Sequence, residues 1–340
     1  MLLFIFFLTV VFSLIGSFLI EKFSLKYVVL DKPSNRSSHK LPTPTVGGLA
    51  ILISYFIYFL MLSNFVHIYS EPLSILLISL IPIVIIGLID DFKEINIFAR
   101  LATQFFVALF FVGYFQINTL NLEDNIYSQS SIIVIILSIL LSVWLMNLYN
   151  FMDGIDGYAS IECIFVSFAA SLIIYLNNSE SLIYLYLLGL GFSVTGFIIM
   201  NWHPARIFMG DTGSVAIGCI FAFFTIYTGN ESVISIYTWL ILLSVFISDS
   251  TYTLIVRIVT KTNVLKPHLT HGFHIVTRKN KSQLFTLCSL FVINIVWVLP
   301  LALLSNIFIN YHIIITFIAY LPLILYLINI GAGLENGNKI

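Results

Sequence analysis

The chain has 340 residues, 59% of them hydrophobic, with only 15 basic and 16 acidic side chains. Ordinary globular domains carry about a quarter charged residues; at 9% this chain lacks the polar side chains to cover a water-soluble surface, and the same arithmetic excludes disorder, a collagen-like repeat and a disulfide-stapled secreted domain. A net charge of −1 argues against a nucleic-acid binder, whose phosphate contacts need a basic face.

What remains is an all-α, polytopic integral membrane protein. Apolar windows long enough to cross a bilayer occur at 1–20, 47–66, 72–89, 101–122, 131–152, 163–179, 181–201, 213–228 and 232–256. The stretch 282–334 is too long for one span and divides near 305–311, which makes eleven. The 213–228 window is short, and 232–256 is interrupted by Asp249. The 1–20 window has no basic leader and no small-residue cleavage site, so it reads as a retained helix. With no repeat and no soluble segment, 1–340 is expected to form a single membrane domain. Cys163, Cys219 and Cys288 sit in apolar runs without pairing or metal spacing, and read as small core residues.

Threading eleven spans places all 15 Lys and Arg residues in one set of loops and none in the other. The positive-inside rule makes the charged set cytoplasmic. The expected bundle therefore has its N-terminus outside, its C-terminus in the cytoplasm and its polar loops on the cytoplasmic face.

Every dense polar cluster falls in those loops. The first, 31–48, contains Lys40 beside His39, three prolines and a Gly-Gly entry to the next helix. It reads either as a solvated basic loop attracted to anionic lipid or as a fixed path holding His39 and Lys40 near the membrane. The second is Asp90-Asp91, followed by Lys93 and Arg100; alone, this pair is an ordinary solvated helix end. In the third, Asn147, Asn150 and Asp153 step by three along one helical face, and Gly154-Ile155-Asp156-Gly157 then opens the backbone to a ligand. The fourth runs from Asn201 through Arg206 and Phe208 to Asp211-Thr-Gly-Ser214. Asp211 either caps the next helix or stands beside an anion site at its N-terminus, with Arg206 adding a fixed charge. The fifth holds Lys266, His268, His271 and His274, spaced to line one helix face. A transition-metal site there is disfavoured, because no Cys or carboxylate accompanies the histidines.

Carboxylates, amides and basic groups gathered at one membrane face suit phosphoryl chemistry with Mg²⁺. Bringing two phosphates together costs about 4 kcal/mol per unit-charge pair at roughly 4 Å and an effective dielectric near 20. A metal and fixed cations offset that cost. A secondary transporter with an acidic cation site at the cytoplasmic face is the rival reading, and Asp249 within a span is its best residue, although Asp249 reads equally as a packing partner for a neighbouring hydroxyl or as a wall of the lipid-phosphate groove. Transporter sites, however, gather near the midplane.

The motifs resemble the polyprenyl-phosphate N-acetylhexosamine-1-phosphate transferases, the membrane superfamily that includes the phospho-N-acetylmuramoyl-pentapeptide transferases. The Pro-Thr-Pro-Thr-Val-Gly-Gly48 entry, Asp90-Asp91, the 150–157 and 208–214 segments and the histidine loop follow in family order over nearly the whole chain. The resemblance implies transfer of a sugar 1-phosphate from a UDP-sugar to undecaprenyl phosphate in a bacterial cytoplasmic membrane, and it leaves room for a homodimer. It implies that Asp211, with Asp153 nearby, holds Mg²⁺ (Mn²⁺ being a substitute), and that Asp90 and Asp91 orient the lipid phosphate. Lys40, Asn150, Gly154, Ile155, Asp156, Asn201 and Phe208 would form the uridine side, and His268 and His271 the histidine motif. The His268-x-x-His271 spacing departs from the three consecutive histidines of the pentapeptide transferases. It is similar to the O-antigen initiating branch, which handles N-acetylated, often 6-deoxy, amino sugars.

Overall fold

A computed structural model of the chain describes residues 1–27, 30–31, 42–66, 71–93, 95–115, 132–264, 266 and 268–335. Lys40 and the rest of 32–41 lie outside the described residues, as does the expected loop at 121–129. The spans are α1 (Leu2–Tyr27), α2 (Gly48–Met61), α3 (Glu71–Phe92), α4 (Ile97–Phe115), α5 (Ile132–Phe151), α6 (Tyr158–Asn177), α7 (Ile183–Asn201) and α8 (Gly210–Asn230). After them come the short α9 (Ile236–Leu242) and α10 (Ser244–Val259), then α11 (Gly272–Asn280), α12 (Gln283–Ile293), α13 (Leu299–Ile307) and α14 (His312–Ile330). A π-turn at Leu62–Val66 extends α2, and another at Asn294–Val298 joins α12 to α13.

Ten of these helical stretches are long and apolar enough to cross a membrane, or eleven when α9 and α10 count as one broken span. The composition-based count is therefore met, with three local differences. First, α9 and α10 meet at 78°, and the break lies at Leu243, six residues before the Asp249 expected to cause it. Second, α6 begins at Tyr158, not Cys163, which draws Glu162 into the span. Third, the all-α expectation needs one small correction: Leu30–Asp31 (β1) pairs antiparallel with Thr43–Pro44 (β2), so a two-residue ladder closes the base of the first loop.

The short window at 213–228 belongs to the central helix. Every residue in the apolar window of α8 is buried, and α2, α3, α4 and α5 pack around it. Its small residues permit this, since helices in lipid associate through close backbone approach. The tightest case joins α8 to α2: a Cβ added at Gly48 would stand 2.1 Å from the Cα of Gly213. Gly47 and Gly48 also donate backbone hydrogen bonds to the carbonyls of Phe208 (3.0 Å) and Met209 (2.8 Å), while the Phe208 amide donates to Pro44. The Gly-Gly entry thus serves contact with the chain leading to Asp211.

Candidate active site

The α8 N-terminus organises the acidic half of the site. Gly210 turns the chain with φ +72°, a conformation that favours glycine. The next two amides need acceptors, because a helix leaves its first N–H groups unbonded. Asp91, at the end of α3, supplies both: its carboxylate accepts from the amides of Asp211 (2.8 Å) and Thr212 (3.1 Å), and from the Thr212 hydroxyl. Asp211 therefore does not cap the helix; its neighbour across the bundle does, and the Asp211 carboxylate is left for other partners.

One such partner is Arg100, from the first turn of α4. Its Nη1 lies 2.6 Å from Asp90 Oδ2 and 2.9 Å from Asp211 Oδ2, joining the ends of three helices. Asp90 also accepts from the Ile95 amide at 2.6 Å. The fixed cation beside Asp211 is thus Arg100 and not the expected Arg206, whose guanidinium is held by both oxygens of Glu21 at 3.0 and 2.9 Å. Sequence reading noted Arg100 only as a charge; its signal was the single arginine entering the span after the Asp-Asp pair.

Asp153 follows the last turn of α5. Burial first, and then the carboxylates of Asp211, Asp91 and Asp156, push its pKa well above the ordinary value. Closely spaced carboxylates exert that pressure on one another, and a hard divalent ion would relieve it. Among the described residues no three His, Cys, Asp or Glu side chains converge as a closed metal cage. One or two carboxylates completed by water and substrate phosphates are the usual Mg²⁺ arrangement, and Asp211 with Asp153 fits it.

The loop after Asp153 links this acidic half to the histidines. A Cβ on Gly154 would stand 2.8 Å from two ring atoms of His274. Ile155 is buried. Asp156 is buried, pairs with His203 Nδ1 at 2.7 Å and accepts from the Ala205 amide at 3.1 Å. Asn201, 2% exposed, accepts from the Gly157 amide and the Ser160 hydroxyl and donates to the Ile207 carbonyl. Its amide thus fastens the 153–157 loop to the 201–208 loop. Asn147, which was expected to share a face with Asn150 and Asp153, donates to Gln104 of α4 at 2.6 Å, leaving Asn150, half-buried at the end of α5, as the amide nearest Asp153 in sequence.

The three histidines cluster, but not along one helix. Helix α11 starts at Gly272 with His271 as its N-cap position, so only His274 is on it. His268 and His271 stack at 4.9 Å between ring centroids, and His271 lies 6.4 Å from the Phe151 ring. Burial holds His268 down to about 4 and His274 to about 3, so both are neutral near pH 7. Asp249 explains the arrangement. It accepts from the amides of Gly272 (2.7 Å) and Phe273 (2.9 Å) and from the Thr253 hydroxyl (3.1 Å), with His271 Nδ1 at 3.4 Å. Every one of those contacts is internal, so the residue on which a transporter reading leaned is a cap for the histidine helix.

Comparison with known proteins agrees with this geometry. The model for "Glycosyl transferase family 4" matches residues 73–229, from α3 through α8. A probable undecaprenyl-phosphate N-acetylglucosaminyl 1-phosphate transferase of Bacillus subtilis is 28% identical over 75% of this chain and 72% of its own length. A phospho-N-acetylmuramoyl-pentapeptide-transferase of Prochlorococcus marinus is 27% identical over 72% and 70%, and one from Staphylococcus aureus is 33% identical over 56% and 64%. The matched segment carries Asp90, Asp91, Arg100, Asp153 and Asp211, and with it the chain belongs to glycosyl transferase family 4.

Proposed function

We propose that the protein transfers a sugar 1-phosphate from a UDP-sugar to undecaprenyl phosphate, releasing UMP, at the cytoplasmic face of a bacterial inner membrane. The sugar is an N-acetylhexosamine or its 6-deoxy relative, and the product starts an O-antigen or similar envelope polysaccharide. The observation that carries this reading is the gathering of Asp90, Asp91, Asp153 and Asp211 at the N-terminus of α8 with Arg100 among them. Acids and a cation at the mouth of a buried helix suit the meeting of two phosphates, one dissolved and one anchored in lipid.

Asp211 and Asp153 would hold Mg²⁺, which supplies charge neutralisation between the two phosphates and polarises the attacked phosphorus. Arg100 reaches both Asp90 and Asp211, and its fork suits a phosphate as well as a carboxylate. When substrate phosphates enter, it exchanges a carboxylate oxygen for a phosphate oxygen. Asp90 then has a free oxygen beside the lipid phosphate. That phosphate is already largely dianionic at neutral pH, its second pKa being about 6, so Asp90 orients it more than it deprotonates it. The α8 amides stay bonded to Asp91. Asn150, Gly154, Ile155 and Phe208 would line the uridine side, with Asp156 and Asn201 holding its loops from behind; Lys40, outside the described residues, is assigned there by the sequence motif alone. His268 and His271, neighbours through Gly154 and His274, face the sugar diphosphate.

The test is transfer of label from a panel of UDP-sugars into organic-extractable lipid by purified protein with undecaprenyl phosphate and Mg²⁺. A lipid-linked product from a UDP-N-acetylhexosamine is expected. No such product from folded protein would overturn the activity, and robust product from UDP-MurNAc-pentapeptide would overturn the sugar class. Orientation has its own check in a variant lacking Cys288: cysteines at Asn125 and Ser179 should label from outside the cell, and one at Asn35 should not.

A further inference from the structure

A second intramembrane acid lies away from the site. Glu162, on the second turn of α6, is fully buried. Among the described residues its one hydrogen-bond partner is the Asn294 amide, which donates to Oε2 at 2.6 Å from the start of the π-turn between α12 and α13. Glu162 Oε1 and Asn294 Oδ1 are both buried and both without a hydrogen-bond partner. Among the described residues no Lys, Arg or His lies within ion-pair distance of Glu162. The titratable groups that feel it are Tyr149 on α5 and Tyr158 and Cys163 on α6, none of them a cation.

Two orphaned acceptors on one contacting pair are a costly arrangement, since each buried polar atom left unbonded has lost its water and gained nothing in exchange. An unpaired carboxylate at this depth costs more still. A single proton removes both difficulties. We infer that Glu162 is held as a neutral acid whose O–H donates to Asn294 Oδ1 while the Asn294 amide donates to Glu162 Oε2, a two-point acid–amide pair that locks α6 to the α12–α13 span. Exchanging the nitrogen and oxygen of Asn294 would put two acceptors at the 2.6 Å contact, where again only a proton makes a bond. The opposite end of the same two elements shows the two-point form between amides: Asn177 donates to Asn306 at 2.8 Å and Asn306 returns the bond at 2.6 Å. At the site end a third tie is made, the Asp156 amide donating to Gln283 at 3.2 Å. Glu162 is the middle rung of three, and through them it is a positioning residue for the 153–157 loop.

The pair is tested by infrared difference spectroscopy and thermal melting on the full-length protein in detergent, independently of any transferase assay. Glu162→Gln can make the same two bonds, so it should melt with wild type from mildly acidic to neutral pH, while Glu162→Ala melts several degrees lower. The wild-type minus Glu162→Gln spectrum should contain the carbonyl band of a protonated carboxyl at neutral pH. Carboxylate bands in that spectrum, or Gln melting as low as Ala, would overturn the inference. So would wild-type melting that rises with Na⁺ or Li⁺ and loses that rise in Glu162→Gln, since the free oxygens would then belong to a cation. Should Glu162→Ala fail to fold, the spectrum and the Gln variant decide alone.

Discussion

Two helix starts in this molecule are built alike and weigh differently. At α8, Asp91 reaches from α3 to cap the amides of Asp211 and Thr212; at α11, Asp249 reaches from α10 to cap Gly272 and Phe273. In both, the cap is a carboxylate from another helix, so the local side chain, Asp211 in one case and His271 in the other, is not what satisfies the first amides of the helix. The difference is in what stands behind the start. Helix α8 is the buried centre of the bundle, whereas α11 is nine residues long and is held at its start by its cap. The first cap therefore closes the head of a helix held along its whole length, and the second fixes a helix with little else to hold its start.

That contrast ranks the expected losses. Asp211→Asn keeps the size of the side chain and the α8 cap but removes the charge that would hold a metal. Transferase rate should fall at least about a hundredfold, the scale of one electrostatic catalytic element, with melting unchanged. Near-normal rate and Mg²⁺ dependence would move the metal to Asp153 or Asp90.

Asp249→Ala should cost roughly tenfold to a hundredfold in rate, as a misplaced catalytic loop does, and Asp249→Asn, which can still accept from one amide, should recover part of it. Mutating Asp91 the same way should instead lower melting as well, because two amides at the head of the central helix lose their acceptor. If Asp249→Ala destabilises the protein as much as Asp91→Ala does, the distinction between the two helix starts is wrong.

Arg100→Lys retains the charge but replaces the planar guanidinium, whose Nη1 meets Asp90 and Asp211 at once, with a flexible ammonium point charge. A raised requirement for Mg²⁺ with little change in melting is expected from titrating the rate against the ion. Equal Mg²⁺ curves for wild type and variant would mean that Arg100 only ties helices.

The smallest effect concerns pH. His274 is held near 3 in the fold against about 6.5 in an unfolded chain. Stability is therefore unaffected above that upper value and is lost as pH falls from it toward 3, because only the unfolded chain takes up the proton. His274→Gln should flatten the acid side of a melting-against-pH curve. An unchanged slope would show that the ring protonates in place.

The span count and the acidic half were legible in the sequence because apolar length and the Asp90-Asp91 and Asp211-Thr-Gly motifs are local signals. The full roles of Arg100, Asp249 and Glu162 were not legible for a common reason: their partners are far along the chain, although the Thr253 hydroxyl on Asp249 is the local packing bond its place in a span suggests. Asp249 caps a helix that starts 23 residues later, and Arg100 meets Asp211 across the bundle. Glu162 falls just outside the apolar window that starts at Cys163, and only the start of α6 at Tyr158 makes it an intramembrane acid. The histidine spacing suggested a helical face that the start of α11 at Gly272 denies.

The approach of α2 to α8 has a consequence for change itself. Gly48 and Gly213 meet backbone to backbone, so the distance between the first loop and Asp211 is set where both partners already lack a side chain. Elsewhere a larger residue on one helix can be absorbed by a smaller one opposite, but here nothing smaller is left to substitute. Growth at either position has to be taken up by moving a helix, and the helix that moves carries either the entry to the first loop or the carboxylate at the heart of the site.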